Sequence, residues 1–297
     1  MDDRMLLDEI RGIVGEKETE DDCSVLDLSD RHLVMTTDML HEKTDFPKGM
    51  TDYEIGWMAA AVTLSDIASM AASPADLLMA VGLDDPSRLP DITRGASACC
   101  SSVGARLAGG DIDRHTELTI VSTAIGFVDQ GKILRRSGAQ PGDLVCVTGM
   151  PGCAEAGLGG DIRFWKNLIT PVPRVVEGRA FSEGGATAMM DISDGIALSL
   201  ADLGRASNAG FSLDPALFPL IPGIPKERAT DLFLFGGGDF ELIATVPPDQ
   251  FPVAGVDATV IGVVTEDMAI LCGGSPLPHR GYLHQWELGA GSIGINP

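Results

Sequence analysis

Basic and aromatic residues are scarce in this chain of 297 residues. It has 21 Lys and Arg against 43 Asp and Glu, a formal net charge of −22, and only 5% aromatic residues. Such a surplus of negative charge repels nucleic acid and anionic membranes, and few rings are available to stack on bases. We therefore expect neither a nucleic-acid partner nor a membrane partner.

Paired cysteines and long apolar runs are also missing. No C-x-x-C pair is formed by Cys23, Cys99, Cys100, Cys146, Cys153 and Cys272. Their apolar surroundings favour buried free thiols. Charges interrupt every apolar stretch before about 18 residues, which argues against a membrane span, and residues 1–4 do not read as a secretory signal. A cytoplasmic location is expected, because a reducing compartment suits free thiols.

The common motifs for nucleotide binding and hydrolysis do not occur either. The chain has no G-x-x-x-x-G-K-[ST] loop, no H-R-D or D-F-G of protein kinases, and no G-x-S-x-G. Glycine-rich turns at residues 149–152, 157–160 and 236–239 either cradle a phosphate or are ordinary turns. Arg135 and Arg136 either reach a phosphate from an interdomain cleft or form a solvated pair on a loop.

Short apolar strands alternate with helices along the chain. The patterns predict strands at residues 33–37, 77–81, 118–128, 144–148, 188–190, 242–246 and 258–264. They predict helices at residues 53–72, 92–107, 175–181 and 196–207, and a turn at 109–111. This alternation indicates an α/β fold (layered, α+β in part). The turn-rich segment 137–142 divides it into an N-terminal domain, 1–138, and a C-terminal domain, 139–297.

Five aspartates follow an apolar strand or a glycine turn: Asp22, Asp38, Asp111, Asp191 and Asp194. An aspartate in such a position is usually a turn former or a helix cap, and Asp194 fits the N-cap of the helix that follows it. Several carboxylates of this kind are more informative than one, because they point to an acidic site if the fold brings them together.

Asp66 differs from these because it lies inside the apolar helix predicted at residues 53–72. A buried, unpaired carboxylate is costly, so it needs a cation, hydrogen-bond donors or a proton. The alternative is a helix break at Ser65, with Asp66 as a local cap. Converging carboxylates stay ionised only with cations between them, and ligand sets made of oxygen select Mg²⁺, Mn²⁺ or Ca²⁺. Mg²⁺ in such sites is coordinated partly by protein carboxylates and partly by substrate phosphates, so the pattern favours phosphoryl transfer.

An ordered set of segments carries a resemblance across nearly the whole chain. They are residues 21–23 (DDC), 36–40 (TTDML), 62–70 (VTLSDIASM), 109–111 (GGD), 136–143 (RSGAQPGD) and 191–195 (DISDG). Together they resemble the thiamine-monophosphate kinase family, which is related to aminoimidazole ribonucleotide synthetase, selenophosphate synthetase and a hydrogenase maturation protein. The run at 136–143, followed by residues 147–149 (VTG), favours the kinase within this superfamily.

The resemblance implies an architecture and a reaction. The N-terminal α/β domain would pair with its twin in a homodimer through a barrel-like interface, with the C-terminal α/β domain beside it. ATP and several Mg²⁺ ions would lie in the cleft between the domains. The phosphate of thiamine monophosphate would attack the γ-phosphate of ATP directly, without a covalent nucleophile on the protein, to give thiamine diphosphate. Positioning and charge neutralisation would then supply most of the catalysis.

The resemblance also implies roles for individual residues. Metal-ligand positions fall on Asp22, Thr36, Thr37, Asp38, Asp66, Asp111, Asp191 and Asp194. ATP-contacting positions fall on Gly110, Asp111, Arg136 and Ser193. Substrate-side positions fall on Asp45, Gly238 and Tyr282. Asp45 stands where many relatives have a histidine and Gly238 where many have a glutamate, so the substrate side departs from the family pattern. Glu20, Thr63 and Ile112 are further departures.

Other functions remain open from the sequence. A second candidate is another ATP-dependent enzyme of the superfamily. A hydrogenase maturation protein would need a C-terminal cysteine, which residues 294–297 lack, and selenophosphate synthetase would need an N-terminal Cys and Lys, whereas the nearest cysteine is Cys23. A third is a non-catalytic dimer that binds nucleotide or metal. The complete carboxylate set disfavours it, because such a cluster has no structural purpose without cations.

Overall fold

The chain folds into two β-sheets with helices packed on them, in a computed structural model that describes residues 3–15 and 19–284. The α-helices of the described residues are α1 (Asp3–Val14), α2 (Asp52–Ser69), α3 (Leu89–Ser102), α4 (Cys153–Leu158), α5 (Trp165–Ile169), α6 (Val175–Glu183), α7 (Ile196–Ser207) and α8 (Lys226–Phe235). The strands are β1 (Ser24–Leu28), β2 (Arg31–His41), β3 (Ser73–Leu83), β4 (Arg106–Arg114), β5 (Thr119–Asp129), β6 (Leu144–Thr148), β7 (Ala188–Ile192), β8 (Gly210–Leu213), β9 (Glu241–Val246), β10 (Ala258–Thr265), β11 (Ile270–Cys272) and β12 (Ser275–Pro276). The predicted α/β class is confirmed.

The first sheet has the strand order β1-β2-β5-β3-β4. Strands β3 and β4 run parallel, and the other neighbours run antiparallel. Side chains of β5 alternate between buried and half-exposed, the pattern of a sheet with one covered face. Helices α2 and α3 cover that face, and Leu64, Ile67, Ile92 and Ile120 are fully buried between sheet and helices.

Helix α2 begins at a capping box and continues through Asp66. The Thr51 hydroxyl accepts a hydrogen bond from the Glu54 N–H, and the Glu54 carboxylate accepts one from the Thr51 N–H at 2.7 Å. The alternative of a helix break that makes Asp66 a cap is wrong, because the helix ends only at Ser69. This end also precedes the one predicted at residue 72.

The turn predicted at residues 109–111 is wrong, because these residues lie inside strand β4 and pair with β3. Gly110 faces Met79 so closely that a Cβ on Gly110 would lie 1.8 Å from the Met79 carbonyl oxygen. Glycine here therefore permits a close approach of two strands rather than a turn. The helix predicted at 92–107 ends at Ser102, because the chain turns there into β4.

The second sheet has the order β12-β11-β8-β10-β6-β9-β7. Every residue of β7 and β9 is buried, so these strands are covered on both faces. Helices α7 and α8 pack on one face through Leu200 and Phe233, and α6 packs on the other through Phe181. Residues 130–143 join the two sheets, and the predicted domain boundary at 138 lies in this segment.

The two halves of the chain meet along helix α2. Gly178 of α6 lies so close to α2 that a Cβ on it would be 2.2 Å from the Ala68 carbonyl oxygen. The Trp57 indole N–H donates to the Pro171 carbonyl at 2.8 Å. Helix α2 therefore packs against the N-terminal sheet and against α6 and β7 of the second half.

Two further expectations can be compared with the structure. Among the described residues, no helix has the length and apolar character needed to cross a membrane. The six cysteines are free thiols, and five of them are buried. Cys272 is half-buried, so the expectation of burial fails at that position.

Candidate active site

Three carboxylates meet where helix α2 faces the second sheet. Asp22 comes from the segment before β1, Asp66 from α2, and Asp191 from β7, and each offers one oxygen so that all three lie within 4.8 Å of one another. Asp38 of β2 lies beside them, since its charge acts on Asp66 and Asp191. We call Asp22, Asp38, Asp66 and Asp191 the acidic cluster.

Hydroxyl groups hold three of these carboxylates in place. The Ser65 Oγ donates to Asp191 Oδ2 at 2.7 Å, and the Thr36 Oγ1 donates to Asp66 Oδ2 at 2.6 Å. The Asp22 Oδ2 accepts a hydrogen bond from a further residue of α2, Ser69. One turn of α2 therefore presents Ser65, Asp66 and Ser69 to the cluster, because positions three and four apart lie on the same helix face.

Two arginines from the linker bind the Asp21–Asp22 pair. Arg135 forms an ion pair with Asp21, and the Arg136 Nε donates to Asp22 Oδ1 at 3.0 Å. The Arg136 N–H also donates to Asp21 Oδ1 at 3.0 Å. Arg136 is mostly buried, so the alternative of a solvated pair is wrong for it; Arg135 is more exposed.

Burial and mutual repulsion disfavour the ionised forms of the cluster. Burial, followed by the charges of Asp38, Asp191 and Asp22, raises the pKa of Asp66 well above its ordinary value. Burial and the charge of Asp22 raise the pKa of Asp191 to about 8, although the Ser65 hydrogen bond opposes the shift. Burial also raises the pKa of Asp38. Without cations, the cluster therefore takes up protons near neutral pH.

The cluster has the chemistry of a site for a hard divalent cation. Its ligands are carboxylate oxygens, with the Thr36 hydroxyl beside them, which suits Mg²⁺. Asp38 Oδ2 is buried and has no hydrogen-bond partner among the described residues, an arrangement that a bound cation would satisfy. A cation would also offset the mutual repulsion that, after burial, raises the pKa values of these carboxyls.

A cleft of about 990 Å³ opens beside the cluster between the two halves of the chain. Asp38 and the loop at residues 42–48 line one side of it, and Glu155, Phe235 and Tyr282 line the other. A concave site at a domain boundary, with charged groups at one end, is the usual form of a site for small molecules.

The predicted substrate-side residues all lie in this cleft. Asp45, Gly238 and Tyr282 line it, together with Ser193 and Asp194. Backbone hydrogen bonds join four of them, because the Gly238 N–H donates to the Ser193 carbonyl at 2.7 Å and the Tyr282 N–H donates to the Asp194 carbonyl at 3.0 Å. Asp194 is not the N-cap of α7, a position that Gly195 occupies.

The glycine turns at 149–152 and 236–239 contact each other. The Asp239 carboxylate accepts hydrogen bonds from the N–H groups of Gly152, at 2.6 Å, and Ala154, at 2.8 Å. Burial raises the pKa of Asp239 to about 7. The N–H of Gly152 in this turn and that of Ala154 in α4 are thus bonded to the protein itself, which favours the ordinary-turn alternative for residues 149–152.

Comparisons with known proteins agree with one another. A family model described as AIR synthase related protein, N-terminal domain, matches residues 20–128. A thiamine-monophosphate kinase of Methanospirillum hungatei is 49% identical over 286 residues, which cover 96% of this chain and 100% of that protein. The thiamine-monophosphate kinase of Escherichia coli is 34% identical and covers 89% and 90%. The structure of AaThiL complexed with AMPPCP and TMP superposes with a TM-score of 0.88 at 25% identity, covering 96% and 97%.

The chain belongs to the thiamine-monophosphate kinase family. Relatives that match it along nearly their whole length decide this, and they confirm the predicted family and its enzyme class, a kinase. A hydrogenase maturation protein, HypE in complex with ATP, superposes with a TM-score of 0.68 at 17% identity, which shows a common fold alone.

Three of the positions assigned by likeness to the kinase family, Thr37, Gly110 and Asp111, lie away from the acidic cluster. Thr37 points to the opposite face of β2, where its hydroxyl donates to the Ser122 carbonyl at 3.1 Å. Asp111 is exposed on β4. It pairs with Ala80 of β3, Ala80 pairs with Val121 of β5, and Val121 pairs with Met39 of β2. Three strand spacings therefore separate Asp111 from β2. At about 4.8 Å for each spacing, Asp111 is some 14 Å from the end of β2 that carries the cluster.

Sequence reasoning missed a second charged group beside the cluster. Asp202 of α7 is buried and forms ion pairs with Arg4, with Arg136 at 3.8 Å and with Arg205 at 3.2 Å. Burial favours its neutral form, but Arg4 and Arg136 outweigh this and lower its pKa. Arg4 also lies 3.5 Å from Asp194. Helical spacing alone places Asp202 next to Arg205, but the other partners are too distant in sequence to be foreseen.

Proposed function

We propose that this chain transfers the γ-phosphoryl group of ATP to the phosphate of thiamine monophosphate, with Mg²⁺ held by the acidic cluster. The observation that carries the proposal is the convergence of Asp22, Asp66 and Asp191, beside Asp38, at one end of the interdomain cleft. The relatives named thiamine-monophosphate kinase, and the AaThiL structure with AMPPCP and TMP, support the choice of the two substrates.

Mg²⁺ held by the acidic cluster would supply neutralisation of the charge on the substrate phosphates, which otherwise repel one another and the acidic cleft. The four carboxylates of the cluster would hold the ions, and the Ser65 and Ser69 hydroxyls keep Asp191 and Asp22 oriented. Arg136 adds a fixed positive charge beside Asp22. The acceptor is an ionised phosphate and needs no general base, so alignment and charge neutralisation are the main tasks of these residues.

The substrates would lie at different ends of the cleft. Arg136 and Ser193 are the proposed ATP contacts near the cluster, and Asp194 is a further proposed metal ligand. Asp45, Gly238 and Tyr282 are the proposed acceptor contacts, and all three line the cleft. The free thiols are compatible with the proposed cytoplasmic location.

We further propose a homodimer in which the uncovered face of the first sheet is the interface. Exposed apolar side chains from three of its strands point to this face, which we call the open sheet face: Leu26, Met35, Met39 and Leu78. Met39 is 58% and Leu78 is 49% exposed, which is unusual for large apolar residues on one face of a sheet. A second copy that presents the same face would cover both, as a two-fold interface requires, and would make the barrel-like arrangement.

The dimer also gives Gly110, Asp111 and Thr37 a place in the reaction. Asp111 is too far along the sheet to reach the acidic cluster of its own chain, and Thr37 points to the open sheet face. We propose that Asp111 acts on the ATP and metal site of the partner subunit. Mixed dimers test this. Asp66→Asn and Asp111→Asn subunits, each inactive alone, should give a purified heterodimer with about half the wild-type activity, because one complete site remains.

An inactive heterodimer would instead place Asp111 in the site of its own subunit. A monomer at micromolar concentration in analytical ultracentrifugation would contradict the dimer itself. Met39→Glu is the matching interface variant, since a buried charge on the open sheet face should dissociate the dimer.

The reaction is tested by incubating the protein with ATP, Mg²⁺ and thiamine monophosphate and measuring thiamine diphosphate as its fluorescent thiochrome derivative. We expect product that depends on Mg²⁺ and that falls at least about 1000-fold in Asp66→Asn. Asp249→Asn, an exposed change outside the cleft, should keep full activity. Absence of product from the wild type, or full activity of Asp66→Asn at saturating Mg²⁺, would contradict the proposal.

A further inference from the structure

One acidic residue on the cleft wall has no role in the mechanism above. Glu155 lies on the short helix α4, on the side opposite the loop at residues 42–48, and its side chain is half-buried. The glycine-rich segment from Gly236 to Gly238 packs against it. A Cβ on Gly236 would lie 2.9 Å from the Glu155 Cβ, and one on Gly238 would lie 3.6 Å from the Ala154 Cβ. The lack of a side chain on Gly236 therefore lets this segment pack directly against Glu155 on the wall of the cleft.

The other carboxylates that line the cleft have partners within the protein. Glu42 binds Arg88 at 2.7 Å and Asp231 binds Arg280 at 2.6 Å. Asp45 accepts hydrogen bonds from the His41 N–H and the Thr44 hydroxyl, Asp194 faces Arg4, and Asp38 belongs to the acidic cluster. Among the described residues, Glu155 has no ion pair and its carboxylate accepts no hydrogen bond. A carboxylate on the cleft wall that has no partner in the protein is available to a ligand.

The wall around Glu155 is suited to a cation next to aromatic rings. The Arg280 guanidinium already lies over the Phe235 ring, 4.2 Å from its centroid, and Tyr282 lines the same wall. The acceptor in the proposed reaction carries its positive charge on the thiazolium ring and its negative charge on the phosphate. With the phosphate held at the acidic cluster, the ring would lie farther along the cleft, which Glu155 and Tyr282 line.

We propose that Glu155 binds the positively charged ring system of the acceptor and makes the cleft selective for a cationic phosphate ester. This rests on the proposed function and adds to it the residue that reads the charge of the acceptor. The role is specific to binding, because Glu155 does not contact the cluster. Its removal should raise the KM for the acceptor and leave the KM for ATP unchanged.

The experiment compares wild type with Glu155→Gln, which keeps the shape of the side chain and removes its charge. We expect the KM for thiamine monophosphate to rise roughly 10-fold or more, the range of a lost charge-assisted contact, with kcat changed little. Hydroxyethylthiazole phosphate, whose ring is uncharged, serves as a competitive inhibitor. Its inhibition constant should be the same for both proteins, because only recognition of ring charge is lost.

Two further variants separate charge from packing. Glu155→Asp keeps the charge on a shorter side chain and should restore part of the affinity. Glu227→Gln, an exposed change on α8 outside the cleft, should behave as wild type. Thermal melts verify that each variant is folded, and Glu155→Ala, which also removes the charge, replaces Glu155→Gln in the comparison if Glu155→Gln does not fold.

The outcomes are distinct for the two proposals. If the wild type forms thiamine diphosphate but Glu155→Gln keeps its KM for thiamine monophosphate, the role of Glu155 is overturned and the proposed function stands. The same follows if Glu155→Gln weakens the charged and the uncharged compound equally, since that result indicates a packing effect. If the wild type forms no thiamine diphosphate, the proposed function is overturned and the inference with it.

Discussion

Asp191→Asn is expected to stabilise the metal-free protein although it should abolish activity. Asp191 is only 3% exposed, and burial together with Asp22 raises its pKa to about 8. In the unfolded chain the same carboxyl has an ordinary pKa and loses its proton at neutral pH. When the protein folds without metal, the Asp191 carboxyl must therefore either take up a proton or be buried as an anion. An asparagine side chain requires neither.

The magnitude follows from the shift in pKa. For a carboxyl whose pKa is raised in the folded state, stability is full below the unfolded value of 3.8 and is lost as the pH rises toward about 8. Each unit corresponds to about 1.4 kcal/mol, so the loss by pH 7 is on the order of 4 kcal/mol. The amide oxygen of asparagine still accepts the hydrogen bond from Ser65. For a chain of this size we expect Tm to increase by roughly 5–10 °C.

Thermal melts in EDTA between about pH 5 and pH 9 measure the effect. The Tm of Asp191→Asn should exceed that of wild type by an amount that grows up to about pH 8 and then levels off. Saturating Mg²⁺ should raise the Tm of wild type more than that of the variant, because the variant lacks one ligand. Asp249→Asn serves as the exposed control. If Asp191→Asn melts at or below the wild-type temperature in EDTA at pH 8, the reasoning about the cluster is refuted.

Three other predictions use different observables. Protons compete with Mg²⁺ at Asp191, so the affinity for Mg²⁺ should rise as the pH approaches about 8 and binding should release protons below it; calorimetry in buffers of different ionisation enthalpy that shows no release would contradict this. Gly110→Ala should destabilise the protein by about 3 kcal/mol, because its Cβ would lie 1.8 Å from a carbonyl oxygen of β3. Gly12→Ala, whose Cβ would have no atom within 4 Å, should not destabilise it. Denaturant melts compare the two variants. Arg136→Gln should raise the KM for ATP at least about 10-fold. Arg205 also pairs with the buried Asp202 but is more exposed, so Arg205→Gln should change this KM less than about two-fold.

The sequence was most informative where a residue violates its local pattern. Asp66 inside an apolar helix predicted a cation or donor set, and the structure places Asp22 and Asp191 beside it. The physical reason is that a carboxylate at a buried helix position must have an explanation, whatever the tertiary structure. The alternation of strands and helices likewise predicted the α/β class, because the period of apolar residues is a local property.

Positions that depend on strand pairing could not be predicted in the same way. Thr37 and Asp38 are neighbours in sequence, but alternate residues of a strand point to opposite faces, so they lie on opposite sides of β2. Asp111 was expected in a turn because glycines precede it, whereas β4 pairs with β3 and holds it far from the cluster. Nothing in the sequence indicated Glu155, because the lack of a partner for its carboxylate among the described residues is a property of the tertiary structure.

The contact between α2 and α6 bears on how the enzyme moves. Backbone meets backbone where Gly178 faces Ala68, and the Trp57 indole holds the Pro171 carbonyl close by. A hinge needs an interface that can slide or separate, and close backbone packing has little freedom to do either. We therefore expect the two halves to behave as one rigid body, so that solution scattering with and without ATP and Mg²⁺ gives superposable profiles. Substrates would then enter a preformed cleft, and turnover would require only side-chain and loop adjustments.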